Sequence, residues 1–171
     1  TRYNTLNLVD AALTAEQAAW GTQTLRTLVS TAGLQEFDGV AEWLGMRLQL
    51  ASKVNMEGYF NAPVAEGMYV QVTDTDNNVI QKIQQKDLRV EAGTVGNTTY
   101  SFVFNKLTVQ QMNETIGFTV YNAQGEKISG KISYSIESYV QRNQDTTNTA
   151  LLNLMNSMIK YGDAARAYAG Q

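Results

Sequence analysis

Hydrophobic and polar positions follow two different periodicities, and the changes between them divide the chain into three zones. Residues 1–36 and 137–171 carry apolar side chains at helical spacing, whereas residues 37–136 alternate apolar and polar side chains with a period of two. Helical zones at both ends of an alternating zone predict an α+β chain rather than repeated β-α-β units.

The first zone reads as a helix that begins at a capping box. Thr14 and Gln17 have the spacing of that motif. The apolar stripe that follows consists of Leu25, Leu28, Val29 and Ala32. Gly33 suits the C-terminal cap of such a helix. Trp20 lies off the stripe, which is an unusual place for an indole.

The middle zone predicts seven short strands, with sequences WLGMRLQL, VNMEGYF, GMYVQVT, NVIQKI, TYSFVF, IGFTVYN and KISYSI. DTDNN and NAQGEK read as hairpin turns between neighbouring strands, because Asp, Asn and Gly tolerate turn dihedral angles. Strict alternation places Leu44 and Met46 on one side of the first strand and Arg47 on the other. It likewise turns Met56 inward and Tyr59 outward.

The last zone predicts a helix that breaks at NQDTTN and resumes as TALLNLMNSMIKYGDAARAYAG. Its apolar residues cover a wide arc, so we expect the helix to be covered on two sides. Gly162 and the alanines after it remove bulk, which predicts close contact with both the sheets and the first helix. Tyr161 is expected to be mostly buried beside that contact.

Together the zones predict a single domain, residues 1–171, with an antiparallel β-sandwich of seven or eight strands. A cluster of α-helices from the N- and C-terminal segments is expected to pack against it. The chain begins with Thr1, so we expect it to be one module of a longer protein.

Composition excludes several classes of function. The sequence holds no cysteine and no histidine, which excludes Cys–His nucleophiles, Ser–His–Asp triads and Cys/His zinc sites. The net charge is −3 with no basic cluster, so nucleic acid is a poor partner. No apolar run has the length of a membrane span. Asn, Gln, Thr and Ser together number 54 residues, and such side chains suit hydroxyl-rich ligands.

Two acidic patterns are weak candidates for chemistry. DTDNN places Asp74, Asp76 and Asn78 at the spacing of a calcium loop, but Val79 stands where that loop needs glycine. The near pairs of carboxylates that could hydrolyse a glycoside are Glu36 with Asp38 and Glu57 with Glu66. No motif frames either pair, so we predict no enzymatic activity, no cofactor and no metal.

The tryptophans carry the remaining signal for a ligand. Indole faces stack on sugar rings, and Trp20 and Trp43 both lie outside the clear core pattern. Asp38 and Arg47, near Trp43 in sequence, are the candidates for contacts with sugar hydroxyls. The alternative is that each indole only fills the seam between helix and sheet.

The segment KISYSIESYVQR and the later YGDAARAY resemble a domain that recurs in secreted and surface proteins of anaerobic gut Firmicutes. That domain is similar in turn to starch-binding modules of amylosome proteins from gut ruminococci. The resemblance implies a secreted or cell-surface module that binds α-1,4-glucan, starch or malto-oligosaccharide, without catalysis. Its ligand would lie in a pocket between sandwich and helices. A structural or adhesive spacer with no glycan ligand is the alternative function.

Overall fold

A computed structural model describes residues 29–50, 54–94, 96–142 and 149–170. The strands in these residues are Glu42–Leu50 (β1), Val54–Ala62 (β2), Tyr69–Thr73 (β3), Val79–Gln84 (β4), Arg89–Thr94 (β5), Asn97–Phe104 (β6), Ile116–Tyr121 (β7) and Ile132–Tyr134 (β8). The helices are Ile136–Arg142 (α1), Thr149–Ala169 (α2) and two short 3₁₀ helices, Gln85–Asp87 and Val109–Gln111. The predicted helix start at Thr14 and Gln17 lies outside the described residues.

The eight strands form two antiparallel sheets of four strands each. The first sheet has the order β1-β2-β6-β5, and the second has the order β4-β3-β7-β8. Every strand pair in them is antiparallel. The prediction of a mostly-β α+β fold with antiparallel sheets is therefore confirmed.

One hydrophobic core joins the two sheets. The ring of Phe118, on β7, lies 5.5 Å from the ring of Phe102 and 5.9 Å from that of Phe104, both on β6. Met56 and Phe60 of β2 are fully buried in the same core, as the alternation predicts. Removing these large apolar side chains from water is the main source of stability for a core between two sheets.

A bulge in β1 changes which side chains face this core. The pairing register between β1 and β2 shifts between Trp43 and Gly45, and Gly45 has a φ of +143°. Trp43 and Met46 consequently join the main core, while Leu44 packs on the other face with Tyr59. The prediction that Leu44 and Met46 share one face is wrong, because the extra residue breaks the period of two.

The segment 29–36 pairs with strand edges instead of forming the end of a helix. The Ser30 N–H donates to the Met46 carbonyl at 3.0 Å, and the Met46 N–H donates back to Ser30 at 2.9 Å. Leu34 forms a bridge with Ile132 of β8. Because β1 and β8 are both edge strands, their free backbone groups satisfy those of the segment. The helix predicted for residues 1–36 is wrong over this described part.

The C-terminal zone contains the two predicted helices. α1 ends at Arg142, just before the predicted break, and α2 begins at Thr149, just after it. Ile136 of α1 is fully buried in the core. Tyr139, Leu154 and Ile159 are partly buried and pack against the same core. Both helices therefore lie against the sheets, as predicted for this end of the chain.

Gly162 lies in a close contact, but its neighbours are Met112 and Asn113, which follow the 3₁₀ helix Val109–Gln111, rather than the strands and first helix that were predicted. A Cβ atom at Gly162 would come within 3.0 Å of the Met112 Cβ atom. The Asn113 side-chain amide fastens the contact by donating to the Ile159 carbonyl at 3.2 Å. Tyr161 is 62% exposed, so the prediction that it is mostly buried is wrong. α2 contacts Met112 and Asn113 through the side of the helix that carries Gly162, and Tyr161 points away from this contact.

Strand β5 is absent from the seven predicted strands. It is an edge strand of the first sheet, and its described side chains are exposed, including that of Val90. A strand that buries little apolar surface carries no clear alternation of apolar and polar residues.

Candidate ligand-binding groove

An open groove of about 560 Å³ lies where the segment 34–43 passes Gly130. Backbone hydrogen bonds hold the two sides together: the Gln35 N–H donates to the Lys131 carbonyl at 2.8 Å, and the Ala41 N–H donates to the Ile128 carbonyl at 2.9 Å. A Cβ atom at Gly130 would overlap the carbonyl oxygen of Gln35. Only a glycine allows the two segments to approach this closely.

Trp43 contributes to the wall of this groove from inside the core. It is 4% exposed, and its indole N–H donates to the Gly130 carbonyl oxygen at 2.7 Å. Its ring meets those of Phe60 and Phe102 edge-on, at centroid distances of 5.5 and 5.9 Å. This burial corrects the expectation of an exposed stacking platform, since a sugar ring cannot reach the indole face.

Phe37 is the exposed aromatic residue of the groove. Its side chain is 44% exposed, and the Lys127 ammonium group lies 4.6 Å from the ring centroid. Phe37 is not among the residues that the sequence pattern indicated for ligand binding. The signal in the sequence is an aromatic residue placed directly between two acidic residues, Glu36 and Asp38.

Three carboxylates line the groove beside that ring. Glu36, Asp38 and Glu42 are exposed lining residues. The structure thus brings Asp38 and Trp43, two of the candidate site residues, together in the lining of one groove. Carboxylate oxygens accept hydrogen bonds and suit hydroxyl groups of a ligand. The lining includes no residue of α1 or α2, so the predicted pocket between sheets and helices is not the groove found in the described residues.

Arg47 is not a lining residue of the groove. Its Nε and NH2 atoms both contact Oε2 of Glu57, at 2.8 and 2.7 Å. Its guanidinium group also lies 5.5 Å from the ring centroid of Tyr59, on the face that carries Leu44. The prediction that Arg47 and Trp43 hold one ligand is therefore wrong. Trp20 lies outside the described residues.

The pair of Arg47 and Glu57 belongs to a buried polar cluster on that face of the first sheet. Glu57 is 2% exposed, and the Arg89 guanidinium lies 3.7 Å from its second carboxylate oxygen. Burial raises the pKa of the neighbouring Tyr59 phenol well above its usual value near 10, and the negative charge of Glu57 raises it further. The phenol is therefore neutral at physiological pH.

The DTDNN turn closes on itself. The Asp74 carboxylate accepts hydrogen bonds from the Asp76 N–H at 2.9 Å and from the Asn78 N–H at 2.8 Å. The Asn78 side-chain amide donates to it at 3.1 Å. These bonds, led by that of the Asn78 side chain, lower the pKa of Asp74. Asn77 has a φ of +66°, which completes the hairpin predicted here.

Within the described ranges, no group of three or more acidic, histidine or cysteine side chains is arranged to hold a metal ion. None of the described helices combines the length and apolarity needed to cross a membrane.

Comparisons with known proteins give no relative from which a function could be transferred. No family model, curated protein or solved structure matches the chain significantly. Function therefore has to be inferred from the chemistry of the molecule itself.

Proposed function

We propose that this chain is a non-catalytic carbohydrate-binding domain of a secreted or cell-surface protein. The groove beside Phe37 is its binding site, and starch or a malto-oligosaccharide, an α-1,4-glucan, is its ligand. The observation that carries the proposal is an exposed aromatic ring among three carboxylates in one open groove.

The groove has the chemistry that a neutral sugar needs. The apolar C–H face of a pyranose loses water when it covers the ring of Phe37, which is worth about 25 cal/mol per Å² of apolar surface. Hydroxyl groups at the rim of the sugar can donate to Glu36, Asp38 or Glu42. A volume of about 560 Å³ lies in the range typical of small-ligand sites and fits a short stretch of a glycan.

The choice of α-glucan among neutral glycans rests on the resemblance of the C-terminal segment to the starch-binding modules. The expected protein partners are other modules of the same protein. Glycoside hydrolysis would need two carboxyl groups on opposite sides of the scissile bond. We assign Glu36, Asp38 and Glu42 to hydroxyl contacts instead. With a single exposed ring, we expect binding in the micromolar to millimolar range, roughly −4 to −8 kcal/mol.

The fold proposed for this domain is a β-sandwich with the C-terminal helices α1 and α2 packed against it. The core shared by Phe102 and Phe104 of the first sheet with Phe118 of the second supports that packing. Contacts of α1 and α2 with the same core support the position of the C-terminal helices.

Isothermal titration of maltoheptaose, with cellohexaose and xylohexaose in parallel, tests the function. We expect the wild type to bind maltoheptaose and Phe37→Ala to bind it about tenfold more weakly or not at all, a loss of at least ~1.4 kcal/mol. Asp38→Ala should weaken binding as well. Val64→Ala is the matched control, because Val64 is an exposed apolar residue that does not line the groove.

Each other outcome has a distinct meaning. Binding only to cellohexaose or xylohexaose would retain a glycan-binding domain but overturn the α-glucan assignment. Shorter products after incubation with maltoheptaose would show that the carboxylates are catalytic. No binding to any glycan would favour the structural or adhesive spacer.

A further inference from the structure

The second sheet presents a mostly polar face on the side away from the core. Val70 and Val72 of β3 and Phe118 and Val120 of β7 are fully buried, so the residues that alternate with them point the other way. We call this the outer face. Its residues are Tyr69, Gln71 and Thr73 on β3, Val79, Lys82 and Gln84 on β4, Gly117, Thr119 and Tyr121 on β7, and Ser133 on β8, of which Val79 is exposed and apolar.

One end of the outer face holds a row of aromatic rings and a cation across three strands. Tyr69 and Tyr121 are directly opposite each other, with ring centroids 5.5 Å apart and planes within 7°. The Lys82 ammonium group lies 5.2 Å from the ring of Tyr69. This stacking limits the freedom of both rings and of the lysine, so the row is largely ordered before any ligand arrives.

The other end holds a second lysine in a fixed position. Lys131 lies across Gly117, where a Cβ atom would overlap the lysine side chain. Its ammonium group donates to the Asn77 side-chain oxygen at 2.6 Å. Because Gly117 of β7 has no side chain, it leaves the space that the Lys131 side chain occupies.

The outer face has the opposite charge to the groove. Its strand residues include no Asp or Glu, and neither Lys82 nor Lys131 has a carboxylate partner within 4.0 Å among the described residues. The adjacent turn carries two carboxylates, Asp74 and Asp76, and that of Asp74 accepts hydrogen bonds from groups within the turn. Lys82 and Lys131 form no ion pair within 4.0 Å among the described residues, so both ammonium groups can meet an anionic group of a ligand.

Between the lysines the outer face offers neutral hydrogen-bonding groups. Gln71, Thr73 and Ser133 are half-buried and present amide and hydroxyl groups, whereas Thr119 is buried. Such groups bind sugar hydroxyls, whereas a nucleic-acid site needs a longer row of basic side chains along the phosphates. The face therefore fits a polymer that combines many hydroxyl groups with spaced negative charges.

We infer that the outer face of the second sheet is a second binding surface, and that its ligand is an acidic polysaccharide whose uronic acid carboxylates meet Lys82 and Lys131. The sugar hydroxyls contact Gln71 and Thr73 between them. This surface is independent of the groove and takes a different class of glycan.

The probe is a polygalacturonate oligosaccharide, titrated into the full chain at low and at high salt. We expect binding that weakens as salt rises, because the contacts are ionic and exposed. Lys82→Ala combined with Lys131→Gln should weaken it at least about tenfold. Lys106→Ala removes an equal charge from an exposed loop after β6 and should leave binding unchanged.

Gln71→Ala keeps the test valid if the lysine variants fail to fold, because it removes an outer-face contact without touching either cation. Phe37→Ala should bind the uronic acid probe like the wild type, which separates this surface from the groove. The inference is overturned if the wild type does not bind the probe or if Lys106→Ala weakens binding as much as the double variant. Tighter binding to single-stranded DNA than to the probe would also overturn it.

Discussion

The indole N–H of Trp43 donates a hydrogen bond to the carbonyl oxygen of Gly130, and the two atoms are 2.7 Å apart. Trp43 belongs to β1 of the first sheet, and Gly130 precedes β8 of the second. The bond therefore ties the two sheets together at the wall of the groove.

Variants of Trp43 test how much this hydrogen bond contributes to stability. Trp43→Phe should lower the free energy of unfolding by about 1–3 kcal/mol, because it removes a buried hydrogen bond and part of the buried ring, although the Ser129 hydroxyl still donates to the same carbonyl. Urea denaturation measures the loss, with Val64→Ala as an exposed control. A urea midpoint equal to that of the wild type would mean that the hydrogen bond contributes nothing.

Gly162→Leu should destabilise the protein by about 1–3 kcal/mol, because its side chain has to enter the contact with Met112 and Asn113. Ala164→Leu places the same leucine side chain at an exposed position two residues further along α2 and should change stability little. Urea midpoints of the two variants decide between these cases. Equal midpoints would contradict the close contact.

Tyr59 makes stability depend on alkaline pH. Because its pKa is raised in the folded protein, the unfolded chain loses this proton first as the pH rises above about 10, and stability falls. Tyr59→Phe should show a shallower fall over the same range. Urea midpoints measured from neutral to alkaline pH test this, and identical slopes for the two proteins would refute it.

Asp74 makes stability depend on acidic pH, in the opposite sense to Tyr59. Its pKa is lowered in the folded state, so its stabilising effect is present above its ordinary value of 3.8 and is lost as the pH falls through the lowered value. Asp74→Ala should melt at a lower temperature than the wild type at neutral pH, and the difference should shrink in acid. Melting followed by circular dichroism measures both. A difference that persists in acid would assign the effect to the turn backbone rather than to the charge.

Local patterns predicted most of the fold. The turn at Asp74–Asn78 depends on side chains that bond to their own backbone, and the break before α2 depends on a short polar run. Both are decided within a few residues, so the sequence contains what is needed to find them. β5 was missed because its side chains are exposed and leave no pattern.

The candidate site was predicted only in part. Asp38 and Trp43 line one groove, but Phe37 was not among the candidate residues and Arg47 lies on another face. The bulge at Gly45 is the reason for the last error. In a regular strand Trp43 and Arg47 would lie on the same face, because they are four residues apart. The extra residue of the bulge places them on opposite faces.

The sequence by itself determined the antiparallel strands, the turns and the C-terminal helices, because periodicity and turn chemistry act between residues close in the chain. Only the tertiary structure decided that residues 29–36 pair with two strand edges, that Trp43 is buried and that Tyr161 is exposed. Those outcomes depend on which distant segments satisfy backbone hydrogen bonds and cover apolar surface. Such partners are brought together only when the whole chain folds.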